Sequence, residues 1–354
     1  MLKIWAKIGK IKPSSPICFA RNQKYPDELF RLILAGRKFV ALIKYLKHRE
    51  IDIEKWDACI GKAFNGMVYG WSWYLDMVSE DWEALVENDY ERVMPLTRGR
   101  KMGMYYLFQP RFTQQLGIFS QTLLSGEVVK SFLQAIPEKY RFIEINLNTF
   151  NTIENPRKHF HHWKNHELDL INTYENIRNS YSQNLKRNLK KASQSHLTLV
   201  KNIKPEDVIA IFRETKGKEL ENLSDKDYQL LQRLIYVMIY KRIAQVMGVY
   251  DETNVLIAGV FFVFSHKKAI FYFSATSAKA RETLAMPFLI DKFISENTGS
   301  HLTLDFEGSN NEHLARFYRS FGSTEISYFH YRKNNLNPLF KAGFYIYKQI
   351  KDRF

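Results

Sequence analysis

Three apolar runs stand one behind another at residues 246–250, 256–264 and 269–275, with only a few residues between them. Runs so closely spaced pair with their sequence neighbours, so they predict an antiparallel meander with a tight turn at 266–268. Helical periodicity follows at 287–297, with Pro287 near its start, where a missing N–H costs little. Then come a strand at 302–306, a helix at 312–321 and a strand at 326–332. A meander feeding helix–strand–helix–strand requires a mixed sheet with helices on its faces, the α/β (α+β mixed sheet) class.

The same order is legible upstream. A strand is expected at 39–46, a helix at 53–64 with Asp52 as its N-cap, and a short helix at 73–78. Strand-like runs follow at 82–86, 92–97, 105–109 and 116–119, then a helix at 126–135 and a strand at 142–147. The second half opens with a long polar helix at 174–195 and a strand at 197–200, and continues with helices at 205–220 and 225–242. A chain of 354 residues suits two domains. The expected division is a basic extension over 1–37, one domain over 38–168 and a second over 169–354, ending in a basic amphipathic helix from Pro338.

Charge sharpens the picture. The net charge is +15, but residues 1–50 hold 12 Lys/Arg against 3 Asp/Glu, and residues 174–204 hold 7 against 1. The remainder is neutral, so two local anion-attracting surfaces are expected, without a general coating for nucleic acid. In the extension, Leu2, Trp5 and Ile8 recur at helical spacing between lysines, which suits a peripheral membrane contact or a solvated leader. It lacks the apolar stretch of a signal peptide, and the longest apolar run, 257–264, is far short of the ~20 residues a bilayer requires. Two cysteines, Cys18 and Cys59, form no C-x-x-C pair, so neither a disulfide framework nor a zinc site is expected, and a cytoplasmic location is.

The most informative segment is LTLDFEGSNNEHLARFYRSFGS at 302–323. Past its strand it places Asn311, Tyr318 seven residues on, and Gly322 four beyond that. These offsets resemble the second half of the acyl-CoA site in the GNAT superfamily. The resemblance implies that Asn311 contacts the pantetheine arm and that Tyr318 is the general acid for the leaving thiolate. It also implies that the strand end at Ala275 and Thr276 polarises the acyl carbonyl. The family's pyrophosphate loop, Arg/Gln-x-x-Gly-x-Gly/Ala, aligns with Arg281 to Met286. Arg281 matches; Leu284 and Met286 replace both glycines, where side chains obstruct a diphosphate's approach to the backbone.

Two stretches, YSQNLKRNLKKA at 181–192 and DFEG…RFYRSFG at 305–322, resemble the Fem-type peptidoglycan aminoacyltransferases. These are tandem GNAT folds that use aminoacyl-tRNA and lack the glycine loop. That resemblance covers about residues 38–333 and makes aminoacyl-tRNA an alternative donor to acyl-CoA. Where the Fem pattern has Phe-Lys, this chain has Phe317-Tyr318, a departure that favours an ordinary acyltransferase. Lys186, Arg187, Lys190 and Lys191 are candidate phosphate or tRNA contacts, or else the solvated face of a basic helix. Glu307, beside Gly308, is the candidate base for an acceptor amine, or else an anion complementing the next helix dipole. In the first half, Trp71, Trp73, Tyr74, Arg111, Gln114 and Gln115 combine stacking area with amides and one cation, which suits a small-molecule or peptidoglycan-precursor-like acceptor. Buried structural aromatics are the plainer reading. His159, His161, His162 and His166 lack the spacing of a metal site, so no metal is expected.

Two functions stay open at this point. One is an acyl or aminoacyl transferase acting on an amine. The other is a catalytically inactive relative that binds a nucleotide-linked glycan, peptide or RNA.

Overall fold

Residue choice at helix ends fixes much of the first half. The computed structural model describes residues 42–336 apart from 102, 157, 220–222 and 309. The extension at 1–37, the start of the strand expected at 39–46 and the helix expected from 338 lie outside the described residues. After β1 (Ile43–Leu46), α1 (Ile53–Lys62) begins where its sequence predicts, with the Asp52 carboxylate accepting the Lys55 amide at 3.1 Å. A 3-10 turn (Val68–Gly70) leads into α2 (Ser72–Val78). Then follow β2 (Glu83–Glu87), β3 (Arg92–Leu96), β4 (Arg98–Lys101), β5 (Met104–Leu107), β6 (Phe119–Ser120), α3 (Gly126–Ala135) and β7 (Tyr140–Asn146).

The second half runs β8 (Phe160–Asp169), α4 (Tyr174–Asn179), α5 (Gln183–Ala192), β9 (Thr198–Lys201), α6 (Pro205–Glu214), α7 (Lys216–Glu219) and α8 (Asp225–Tyr240). The predicted meander is β10 (Ala244–Tyr250), β11 (Leu256–Ser265) and β12 (Lys268–Thr276). It is followed by α9 (Ala278–Glu282), α10 (Ala285–Asn297), β13 (Thr303–Asp305), α11 (Glu312–Arg319) and β14 (Thr324–Asn334). The single helix expected at 174–195 is in fact two. Ser182 interrupts it, its hydroxyl capping Leu185 N at 3.1 Å while its own amide donates to Ser320 O at 2.8 Å. A serine that satisfies an orphan amide competes with helix continuation.

β1, β2, β3 and β6 form a four-stranded sheet. The other strands form one ten-stranded sheet in the order β4-β5-β7-β14-β8-β13-β12-β11-β10-β9. β3 and β4 flank the buried Thr97, where the chain passes from one sheet to the other. Taken as one bent strand, they give β1-β2-β3/β4-β5-β7-β14 against β9-β10-β11-β12-β13-β8. Each series is antiparallel up to a parallel pair, β5·β7 or β12·β13, and closes on an antiparallel strand. The closing strand β14 comes from the far end of the chain, lying between β7 and β8 with Tyr331 opposite both Ile145 and Phe160. The division expected at 168/169 therefore falls inside β8, and the sheet is continuous across it.

Three clusters of buried side chains hold the layers. One joins the first-half Trp56, Trp82 and Tyr74 to Leu231, Leu234 and Met238 of α8 and to Phe261 of β11. A second packs α5, α10 and α11 on the meander, with Phe262 stacked on Phe293 at 3.7 Å. The third seats Phe132 of α3 on Ile143, Ile145 and Phe329. At about 1.5–3 kcal/mol per buried large side chain, the first cluster alone ties the two halves firmly together.

Candidate functional site

β12 and β13 are paired only at Lys268↔Thr303, Ala269↔Leu304 and Ile270↔Asp305. From Phe271 to Thr276, β12 has no strand partner on that side among the described residues, and its pairing with β13 ends. Beside that free edge lies a cavity of about 640 Å³ lined by residues of β12, α5, α6, α7, α9, α10 and α11. That volume is in the range of small-molecule sites, about 300–1,000 Å³.

Four of the sequence-derived residues line it: Ala275, Thr276, Arg281 and Tyr318. Tyr318 is buried on α11, its ring stacked on Phe306 at 4.7 Å, which fixes its direction. Burial, and then the charge of Glu307, raises its hydroxyl above the usual tyrosine range, so it holds its proton. Leu284 occupies the position of the family's first glycine in the left-handed region, φ 61°, and caps α10 without a side-chain hydrogen bond. A leucine there costs about 1–2 kcal/mol relative to glycine, and its side chain forms part of the cavity wall.

Asn311 is elsewhere. It is the N-cap of α11, its carboxamide oxygen accepting His313 N at 2.9 Å and Leu314 N at 3.3 Å. Gly322 takes φ 79°, and a Cβ there would stand 2.0 Å from the Ser180 hydroxyl. It is the pivot that lets the chain leave α11 beside the α4–α5 break.

Glu307 follows β13 with φ 58° and is half-buried. Its carboxylate accepts the hydroxyl of Tyr69, from the first-half 3-10 turn. Desolvation, with Asp305 adding repulsion, raises its carboxyl well above the usual range. Behind it lies a polar layer. Asp305 accepts Asn165 Nδ2 at 2.8 Å and pairs with Lys268 at 2.9 Å, and Lys268 also pairs with Glu167. Burial opposes the Lys268 charge, but Asp305 and Glu167 outweigh it and hold the ammonium above its ordinary range. Tyr74 joins this layer, its hydroxyl donating to Phe112 O at 2.5 Å and lying 3.1 Å from the Tyr272 hydroxyl.

The remaining first-half candidates are dispersed. Gln114 approaches the site, its Nε2 standing 3.6 Å from where a Cβ on Gly308 would be, while its Oε1 accepts Gln115 Nε2 at 2.6 Å. Trp71 packs against His266, Trp73 lies under Lys241, and Arg111 pairs with Asp227 at 2.9 Å. On α5, Leu185, Leu189 and Ala192 are buried. At ~100° per residue, Arg187 and Lys191 flank the side of Asn188, which lines the cavity, and Lys186 and Lys190 occupy the opposite flank. Of the histidines, His166 is buried 6.2 Å from Tyr318, and His161 lies against His330. Sequence reasoning missed Tyr69, Lys268, Glu167, Asn165 and Tyr272. They come from three elements far apart in sequence, the 3-10 turn, β8 and β12, and no local spacing links the three.

No protein-family model matches the sequence, and no curated protein matches it either. Solved structures do. FemX is 12% identical, with a TM-score of 0.58, over 84% of this chain and 99% of that one. A conserved protein of unknown function from Bacteroides thetaiotaomicron VPI-5482 is 8% identical, with a TM-score of 0.51, over 83% of this chain and 99% of that one. At such identities the likeness speaks for the fold alone. The chain has a mixed α/β fold like that of FemX.

Proposed function

We propose that the protein is an acyltransferase whose donor lies in the cavity beside the free edge of β12. The observation that carries this reading is the Tyr318 side chain lining the cavity beside the free edge of β12. An acceptor amine attacks the donor's acyl carbon, and the carbonyl oxygen gathers charge beside the unpaired backbone near Ala275 and Thr276. As the carbon–sulfur or carbon–oxygen bond breaks, the Tyr318 hydroxyl hydrogen-bonds the leaving atom and gives its proton to a leaving oxygen. Glu307, partly open beside Gly308 and Gln114, takes the proton released by the amine. The acceptor is an amine on a small molecule or a cell-envelope precursor, held on the side of the first-half residues Tyr74 and Gln114. Acyl-CoA and aminoacyl-tRNA are both donors of suitable chemistry. Leu284 and Met286 weigh against a diphosphate cradled on the backbone before α10. They are also the observation that favours the second reading, an inactive protein that binds its ligand in the same cavity.

Replacing Tyr318 by Phe separates the two. The ring still stacks on Phe306, so the fold survives. For the enzyme, turnover falls by about 10²–10⁴-fold with little change in donor affinity. Turnover within about twofold of the parent removes Tyr318 from the mechanism.

A further inference from the structure

The proposed donor cavity carries a chemical bias that the fold does not dictate. Its wall is built from Phe212, Phe271, Leu284, Met286, Leu314 and Phe317. Among the described residues that line it there is no Asp or Glu, and its formal charges are the cations Lys216 and Arg281. The carboxylates from β13 to the start of α11 are engaged by other groups. Asp305 pairs with Lys268, Glu307 accepts from Tyr69, and Glu312 pairs with Arg319.

An aminoacyl group brings an α-ammonium next to its carbonyl. In this cavity that charge would lose water without gaining a carboxylate partner, which is strongly unfavourable. The aromatic faces offer an ammonium a weak attraction, and Arg281 in the same wall opposes it. An uncharged acyl group meets the reverse situation, since every added methylene leaves water for an apolar wall. The volume of about 640 Å³ leaves room beyond a donor arm that an acetyl group would not fill.

We infer that the cavity selects an uncharged, apolar acyl group larger than acetyl, and discriminates against aminoacyl groups. This rests on the transferase reading of the cavity. It names the donor's acyl class and leaves the carrier open.

The test uses the whole protein and N-acetylcysteamine thioesters, which lack phosphates and so isolate the acyl group. The key pair is isobutyryl and alanyl, nearly the same shape, with a methyl in one and an ammonium in the other. Acetyl and hexanoyl thioesters complete the set, and calorimetric titration gives the affinities. Hexanoyl should bind tightest, and alanyl should bind at least about tenfold more weakly than isobutyryl. Leu314 is 43% exposed, so Leu314→Glu places a carboxylate at the cavity without burying it. That variant should reverse the order and prefer alanyl. Equal or tighter alanyl binding by the parent overturns the selectivity while leaving the transferase reading intact. A Leu314→Glu protein that keeps the parent's order overturns the claim that the missing carboxylate sets it. If no thioester binds the parent, the transferase reading of the cavity falls and the selectivity falls with it.

Discussion

The hydrogen bond from Tyr69 to Glu307 joins residues 238 apart in sequence and links a first-half turn to the end of β13. Its removal should be felt as global stability. Tyr69 is fully buried, so Glu307→Ala strands a phenolic hydroxyl in the core. Conversely, Tyr69→Phe deprives the carboxyl of its one side-chain donor among the described residues. Each orphaned buried group costs about 1–3 kcal/mol. Glu307 is half-buried and partly reached by water, so the Tyr69→Phe cost should sit at the lower end. The double variant removes both partners, leaving no orphan. Its loss should fall short of the sum of the single losses by about 1–2 kcal/mol. Urea denaturation of the four proteins measures this directly. Additivity within about 0.3–0.5 kcal/mol would show that the contact contributes nothing of its own, and the linkage argument would fail.

Gly322→Ala forces a side chain into a left-handed position and onto Ser180, so thermal unfolding should move down by several degrees, reflecting at least about 1–2 kcal/mol. An unchanged midpoint would mean that the turn relaxes freely. If α5 meets a phosphate-bearing donor, the Arg187→Gln, Lys191→Gln pair should lower the salt slope of binding by about 0.7–0.9 per lost contact. The Lys186→Gln, Lys190→Gln pair, on the flank away from Asn188, should leave it alone. Equal effects of the two pairs would point to a diffuse field.

The sequence declares what local rules govern. The meander, the Asp52 cap, α3 and the closing helix–strand order all follow from periodicity and turn spacing. Its failures share a cause. The strand exchange that puts β14 between β7 and β8 depends on pairing between residues such as Tyr331 and Phe160, for which no local spacing exists. The break between α4 and α5 depends on Ser182 meeting Ser320, a tertiary contact inside an otherwise helical pattern. The site divides in the same way. Tyr318 and Arg281 belong to short segments with recognisable offsets and do line the cavity. Asn311 has the right offset but serves as a helix cap, since an Asn before a helix satisfies both descriptions. Tyr69 and Lys268 carry no offset at all. Only the packing of the first-half turn on the end of β13 gives Tyr69 a role.

Glu307 offers a last test, because its raised carboxyl affects both stability and chemistry. A carboxyl whose folded pKa lies above its unfolded value, about 4.3, favours the folded state while protonated. Its contribution is fully present below the unfolded pKa and is lost as pH rises through the folded pKa. Glu307→Gln keeps a carbonyl for Tyr69 and cannot ionise, so it lacks this loss. The stability of the variant minus that of the parent should therefore grow as pH rises above the ordinary carboxylate range, then level off. Asp305 acts in the opposite sense. Burial pushes its pKa up, but Lys268 and Asn165 hold it below the usual range. Its stability is lost as pH falls, and Glu167 is raised like Glu307. Both are present in the two proteins, so to first order the difference cancels them and reports Glu307. Urea midpoints from about pH 5 to 8 give the curve. A flat difference, or one that shrinks with rising pH, would refute the raised carboxyl. If Glu307 is also the base, the parent's kcat/KM must climb over the same pH interval, because only the ionised form accepts the amine proton. A stability curve that bends in one interval and a rate profile that bends in another would mean that Glu307 holds the two halves together and takes no part in the transfer.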